Sequence, residues 1–94
     1  MVSKADIRRF QKFQDIGCIA CRMRGAYSVP EVHHLKSGNK RRGHQFTIPL
    51  CPAHHRGLFW DVHLYGPSLA RDPRWFHEEF GSDDELLRKT NELL

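Results

Sequence analysis

Apolar residues along this chain fall into short runs whose spacing alternates between helical and extended. Ile7, Phe10 and Phe13, with Gln14, lie at helical spacing behind Ser3 and Asp6, which predicts a short amphipathic helix ending at Gln14. Ile16-Gly17 closes it, Cys18 to Cys21 forms a knuckle, and residues 22–30 read as a loop ended by Pro30. Glu31 to Leu35 and Gln45 to Leu50 have strand character, the second limited by Pro49, and together they read as a hairpin. The connection between them, residues 36–43, is a turn-rich basic loop bounded by Gly38 and Gly43. Pro52 stands at the first turn of a further helix carrying His54, His55, Leu58 and Phe59. Residues 60–70 are the least legible, with a turn at Gly66-Pro67. Asp72-Pro73 opens a helix through Trp75, Phe76 and Phe80 that stops at Gly81. Ser82 to Glu85 is a capping box ahead of Leu86, Leu87, Leu93 and Leu94. These aromatics and leucines are the expected core.

Composition adds two constraints. Ninety-four residues without repeat, low-complexity tract or linker predict one domain spanning residues 1–94, at a size where an apolar core alone is marginal and a metal or disulfide staple is common. Three cysteines cannot all pair, and seven histidines accompany them, so metal ligation in a reducing cytoplasm is favoured over a secreted disulfide framework. No apolar run reaches membrane-spanning length and no charged-then-apolar leader opens the chain, so a soluble, unprocessed protein with no membrane partner is expected. The formal charge of +4 is unevenly placed: residues 1–60 hold eleven Lys or Arg against three acids, residues 61–94 four against eight. The basic half carries the His/Cys motifs, which suits a polyanionic partner such as nucleic acid.

Cys18-x-x-Cys21 and Cys51-x-x-His54 are matched pairs with a hairpin's length between them. Thiolate and imidazole are the ligands that tetrahedral zinc favours, so the four predict a structural zinc site of treble-clef type. His54 is preferred to His55 because its spacing mirrors the first pair. Such a site couples metal binding to folding.

His33, His34 and His55 are then left over. Phosphodiester hydrolysis needs a water, a base for its proton and a cation to stabilise charge on the phosphate and the leaving oxygen. Adjacent histidines can divide these tasks, and a third from the next helix completes a clamp on one divalent ion. The pattern therefore assigns His34 as general base and His33 and His55 as catalytic metal ligands, as in an HNH (ββα-metal) nuclease. His44 is open between orienting the base, binding phosphate and ligating metal. His63 is open between the metal shell and packing beside Trp60 and Tyr65, and His77 reads as structural. Lys36, Lys40, Arg41 and Arg42 of the loop, with Arg56 from the helix, are candidates to neutralise flanking phosphates. Histidine ligands accept several cations, so Mg2+, Mn2+ and Zn2+ all remain open as the second, catalytic metal.

Residues 17–22 (Gly-Cys-Ile-Ala-Cys-Arg), 30–35 (Pro-Glu-Val-His-His-Leu), Gly38, Arg42, His44, 47–52 (Thr-Ile-Pro-Leu-Cys-Pro) and 54–57 (His-His-Arg-Gly) together resemble the Ref (recombination enhancement function) family of phage and prophage HNH nucleases. The likeness continues more loosely through Phe76, Phe80-Gly81 and residues 85–87. The resemblance implies a zinc-stapled ββα-metal fold and metal-dependent cutting of DNA, with a RecA filament as partner, in the cytoplasm of a bacterial host. Lys4, Arg8, Arg9 and Lys12 fall in the predicted first helix, where better-known members carry a long basic extension. The asparagine of the HNH name has no counterpart before Leu50-Cys51, and His44 is the nearest candidate. The expectation is thus a small α+β HNH domain with flanking helices. Its competitors are a non-catalytic, zinc-stabilised nucleic-acid-binding module and an adaptor docking through Trp60, Tyr65 and Trp75.

Overall fold

Ser3 and Asp6 set the first helix. The Ser3 hydroxyl accepts the Asp6 N–H at 3.1 Å while the Asp6 carboxylate accepts the Ser3 N–H at 2.9 Å, a reciprocal capping box. In the computed structural model, which describes residues 2–57 and 66–94, this helix, α1, spans Lys4–Ile16, two residues beyond the expected Gln14. Gly17 ends it at φ 75°, and a Cβ there would stand 2.7 Å from the Tyr27 ring, so glycine is required twice over. The Cys18–Cys21 knuckle is itself a short helix, α2 (Ile19–Met23).

Strand β1 (Glu31–His34) pairs antiparallel with β4 (Thr47–Leu50), placing His33 opposite Ile48 and His34 opposite Thr47. The basic segment between them is not a plain loop. It folds into its own ribbon of β2 (Lys36–Ser37) and β3 (Lys40–Arg41), turning at Gly38. The second long strand starts at Thr47 rather than Gln45, because residues 43–46 turn, with the Phe46 N–H donating to the Gly43 carbonyl. Pro49 is tolerated because, among the described residues, β4 pairs on one side alone, with β1.

Helix α3 (Pro52–Arg56) follows β4 directly and stops at left-handed Gly57. The predicted continuation through Leu58 and Phe59, and the candidate residues Trp60, His63 and Tyr65, lie outside the described residues. Helices α4 (Pro73–Phe80) and α5 (Asp83–Glu92) complete the architecture, the latter on the predicted Ser82/Glu85 capping box.

The core gathers the two cysteine knuckles, Ile19, Leu35, Ile48, Leu50, Phe76, Phe80 and Leu86. Three expected core residues are not in it: Trp75 is 43 % exposed, and Leu93 and Leu94 lie at the exposed C-terminal end of α5. On a helix, Phe76 and Phe80 share a face that Trp75 does not, so burial of the first two turns Trp75 outward.

Arg9 ties α1 to this core. Its guanidinium donates to the Thr47 hydroxyl (2.9 Å), the Thr47 carbonyl (2.5 Å) and the Asn91 side chain (2.7 Å), joining α1, β4 and α5. Arg9→Met should cost about 2–3 kcal/mol in urea unfolding, since three acceptors lose a charged donor; an unchanged midpoint would remove Arg9 from this role. Asp6 offers a pH test. Its carboxyl is held down to about 2, chiefly by the Ser3 N–H and then by Gln45. A depressed carboxyl contributes stability above the usual pKa of 3.8 and loses it as pH falls through 2. Asp6→Asn should therefore flatten the acid limb of the stability curve below pH 4, measured by denaturant midpoints.

Candidate metal centre and histidine cluster

Cys18 and Cys51 play the same local part. Each caps a short helix, its sulfur accepting the backbone N–H of the residue three places on, Cys21 and His54, at 3.5 Å. The two caps face each other across the buried core. His54 Nδ1 lies 3.5 Å from Cys18 Sγ, 3.4 Å from Cys21 Sγ and 3.3 Å from Cys51 Sγ, and Cys21 and Cys51 sulfurs are 3.9 Å apart. All four ligand atoms lie within 4.8 Å of one another and all four residues are buried.

A tetrahedron with zinc's usual bond lengths has S···N edges of about 3.6 Å and S···S edges of about 3.8 Å. The observed distances match those edges, so the Cys3His cluster has the dimensions of a zinc site. Its proton chemistry agrees. The Cys51 thiol is driven far below the usual range, first by hydrogen bonds from Cys18 and Cys21. Cys18 is pushed upward by hydrogen bonding with Cys21 and Cys51 and by burial. Phe80 stands edge-on to the His54 ring at 5.3 Å, so α4 braces the ligand.

The remaining histidines form two pairs, and β1 explains why. Successive strand residues point to opposite faces. His33, on the face shared with Glu31, meets α3: its Nδ1 is 3.2 Å from His55 Nε2. His34, on the other face, meets the turn before β4: its Nε2 is 3.0 Å from His44 Nδ1. Phe10 of α1 stands edge-on to both rings of this second pair, at 6.5 and 5.9 Å.

Behind the first pair stands Glu31. Its carboxylate accepts from His55 Nδ1 at 3.0 Å and from Arg56 Nε at 2.9 Å. Burial alone would push the Glu31 carboxyl up, but hydrogen bonds from Arg56 and His55 outweigh it and hold it below the usual value. With Nδ1–H committed to Glu31, His55 turns an Nε2 lone pair toward His33, the carboxylate–histidine arrangement usual behind metal ligands. Two imidazole nitrogens on one cation are separated by about 2.9 Å at a right angle and about 3.4 Å in a tetrahedron. The 3.2 Å observed falls between these values. His33 itself is held down to about 4 by burial, then by the charges of His55, His34, Lys36 and His77, and is neutral as a ligand must be. Among the described residues, no other group of three or more His, Cys, Asp or Glu ligand atoms comes together besides the Cys3His cluster. Among the described residues, a cation here would have His33 and His55 as its protein ligands.

His34 is lowered too, by burial first and then by Arg41 and His44. Its Nδ1 makes no hydrogen bond among the described residues. His44 is fixed in turn, its carbonyl accepting the Thr47 hydroxyl at 2.8 Å, and Thr47 is the residue that Arg9 grips. His77 Nδ1 donates to the Gly81 carbonyl (2.9 Å) and its Nε2 lies 3.6 Å from Asp83, a helix-end role in keeping with the structural reading.

The five candidate cations divide. Lys36, Lys40 and Arg41 are exposed on the ribbon and form no ion pair among the described residues. Arg42 is paired with Asp84 at 2.9 Å and lies over the Phe46 ring, and Arg56 is paired with Glu31. Glu31 and Phe10 are participants that sequence reasoning missed. Glu31 was in reach, since it sits two residues before His33 on a strand and must share its face.

A buried Cys3His cluster that could hold a metal lies on a small α+β scaffold that also carries two histidine pairs, one of them carboxylate-backed. The chain belongs to the family described as recombination enhancement, RecA-dependent nuclease, whose model matches residues 3–94. A comparison with curated proteins finds none that matches. Among the described residues no helix is long and apolar enough to cross a membrane.

Proposed function

We infer that this chain is a metal-dependent HNH endonuclease, one ββα-metal domain over residues 1–94, hydrolysing DNA phosphodiester bonds in recombination with a RecA filament as partner. The observation that carries the reading is the Glu31-backed His33–His55 pair next in the chain to His34, which is itself held by His44. Family membership supports the reaction class. Work with RecA would place the protein in the cytoplasm of a bacterial host, where a phage or prophage gene would supply it.

Because His33 and His34 leave β1 on opposite faces, a ligand is within reach of both only at the edge of β1 that does not pair with β4. The scissile phosphate is assigned to that edge. His34 donates Nε2–H to His44 and keeps the Nδ1 lone pair for the proton of the attacking water. His33 and His55 would hold Mg2+, Mn2+ or Zn2+, which when bound supplies positive charge to the phosphate and the departing 3′ oxygen. Lys36, Lys40 and Arg41 neutralise flanking phosphates, and Arg56 joins them by exchanging Glu31 for phosphate. Changing Lys40 and Arg41 together to Gln should reduce the slope of log affinity against log salt by about 1.8 on duplex DNA, at about 0.9 per contact. An unchanged slope would take the ribbon out of the interface.

The direct test is plasmid nicking by purified protein across divalent cations, with and without RecA-coated DNA. A competing reading, a non-catalytic zinc-stabilised nucleic-acid-binding or adaptor module, draws on the second cation having only two described protein ligands. Zinc bound only at the Cys3His site, with no cleavage under any cation or with RecA, would establish that reading instead.

A further inference from the structure

Phe46 stands where a packed residue is not needed. It is 39 % exposed, in the turn between the basic ribbon and β4, two residues after His44. Single exposed aromatics are common and by themselves mean little. This one is built in. Its N–H donates to the Gly43 carbonyl at 3.1 Å and its carbonyl accepts the Leu35 N–H at 2.9 Å, so its backbone is fixed to the residue that follows β1. The Arg42 guanidinium lies 4.7 Å from the ring centroid, and Asp84 anchors that guanidinium at 2.9 Å. The Arg42 N–H is bonded to the Leu35 carbonyl as well, so both partners of the stack hang on one rigid residue. Part of the ring faces solvent, and Lys36, Lys40 and Arg41 on the adjoining ribbon are exposed as well.

We propose that Phe46, held by Arg42, is a base-stacking platform beside the histidine cluster, and that it gives the protein a preference for unpaired nucleotides next to the cut. The inference rests on the nucleic-acid reading above and names the form of substrate that reading leaves open. The chemistry is general. Every nucleobase has a π face, an exposed ring in a cationic surface stacks one at about 1–3 kcal/mol, and bases within a duplex have no free face to offer. Arg42 contributes by fixing the ring and by capping it with a planar cation, a part lysine cannot take. Its ion pair with Asp84 is then a brace for the platform rather than a competitor for phosphate.

The test is equilibrium binding by fluorescence anisotropy of the zinc-loaded protein, without added magnesium or manganese. Three probes of equal length are compared: single-stranded oligothymidylate, the same backbone with an abasic run, and a duplex. Phe46→Ala should weaken binding to oligothymidylate by about 5- to 150-fold and leave duplex and abasic binding within about twofold. Phe46→Trp should restore affinity for oligothymidylate, and Arg42→Lys should lose part of it at unchanged net charge. Equal losses on all three probes, or no loss on oligothymidylate, overturn the proposal. Zinc content and circular dichroism of each variant establish that it is folded. Cleavage is scored separately with added cations, so an inactive wild-type protein would sink the nuclease reading while leaving the stacking result to stand or fall alone.

Discussion

Cys51→Ser is expected to leave a chain without a cooperative fold and without bound zinc. Cys51 caps α3, ends β4 and supplies one of the four ligand atoms, so its sulfur joins three parts of the structure at one point. Structural zinc contributes about 10–16 kcal/mol of apparent binding free energy in small zinc-finger peptides. Whole domains are stable by only about 5–15 kcal/mol. A chain of 94 residues has little other core to fall back on. Serine keeps the cap but is a poor zinc ligand, so loss of fold would be a loss of metal and not of capping. The measurements are zinc per chain by elemental analysis and thermal unfolding by circular dichroism; strong chelators should reproduce the effect on the wild-type protein. A Cys51→Ser protein that melts where the wild type does would show that the cluster is a packed set of thiols and nothing more.

His34→Ala should lower the rate of DNA nicking by about 10²- to 10⁴-fold, the range for removal of a general base. The fold should survive. His34 is partly exposed and its side-chain partners are His44 and the edge of Phe10, so truncation opens no sealed cavity. Zinc content should also be unchanged, because the Cys3His cluster lies elsewhere in the core. His44→Ala should cost less, since it removes the group that orients the base and leaves the base itself. Nicking by His34→Ala at the wild-type rate, with magnesium or manganese present, would show that the proton goes elsewhere. The two predictions separate cleanly: one variant loses metal and structure, the other loses chemistry alone.

The difference between those residues also marks what was readable along the chain. Cys18, Cys21, Cys51 and His54 were legible because each pair closes within one helical turn, and short-range spacing fixes where such side chains point. The same locality made both capping boxes legible. The basic segment 36–43 was read as a loop because strands of two residues leave no periodicity to detect. Trp75 and the last two leucines were read as core because composition does not say which side of a helix finds a partner.

Sequence by itself settled the membership of the Cys3His cluster, the starts of α1, α3, α4 and α5 and the presence of surplus histidines, since all of these depend on neighbours a few residues away. Tertiary structure alone decided how the surplus was shared. The antiparallel pairing of β1 with β4 sends His33 to His55 and Glu31, and His34 to His44 and Phe10. His55 lies 22 residues from His33, and His44 and Phe10 lie 10 and 24 residues from His34, at positions set by how α1, α3 and the turn before β4 pack on the strand, and no local rule carries that information.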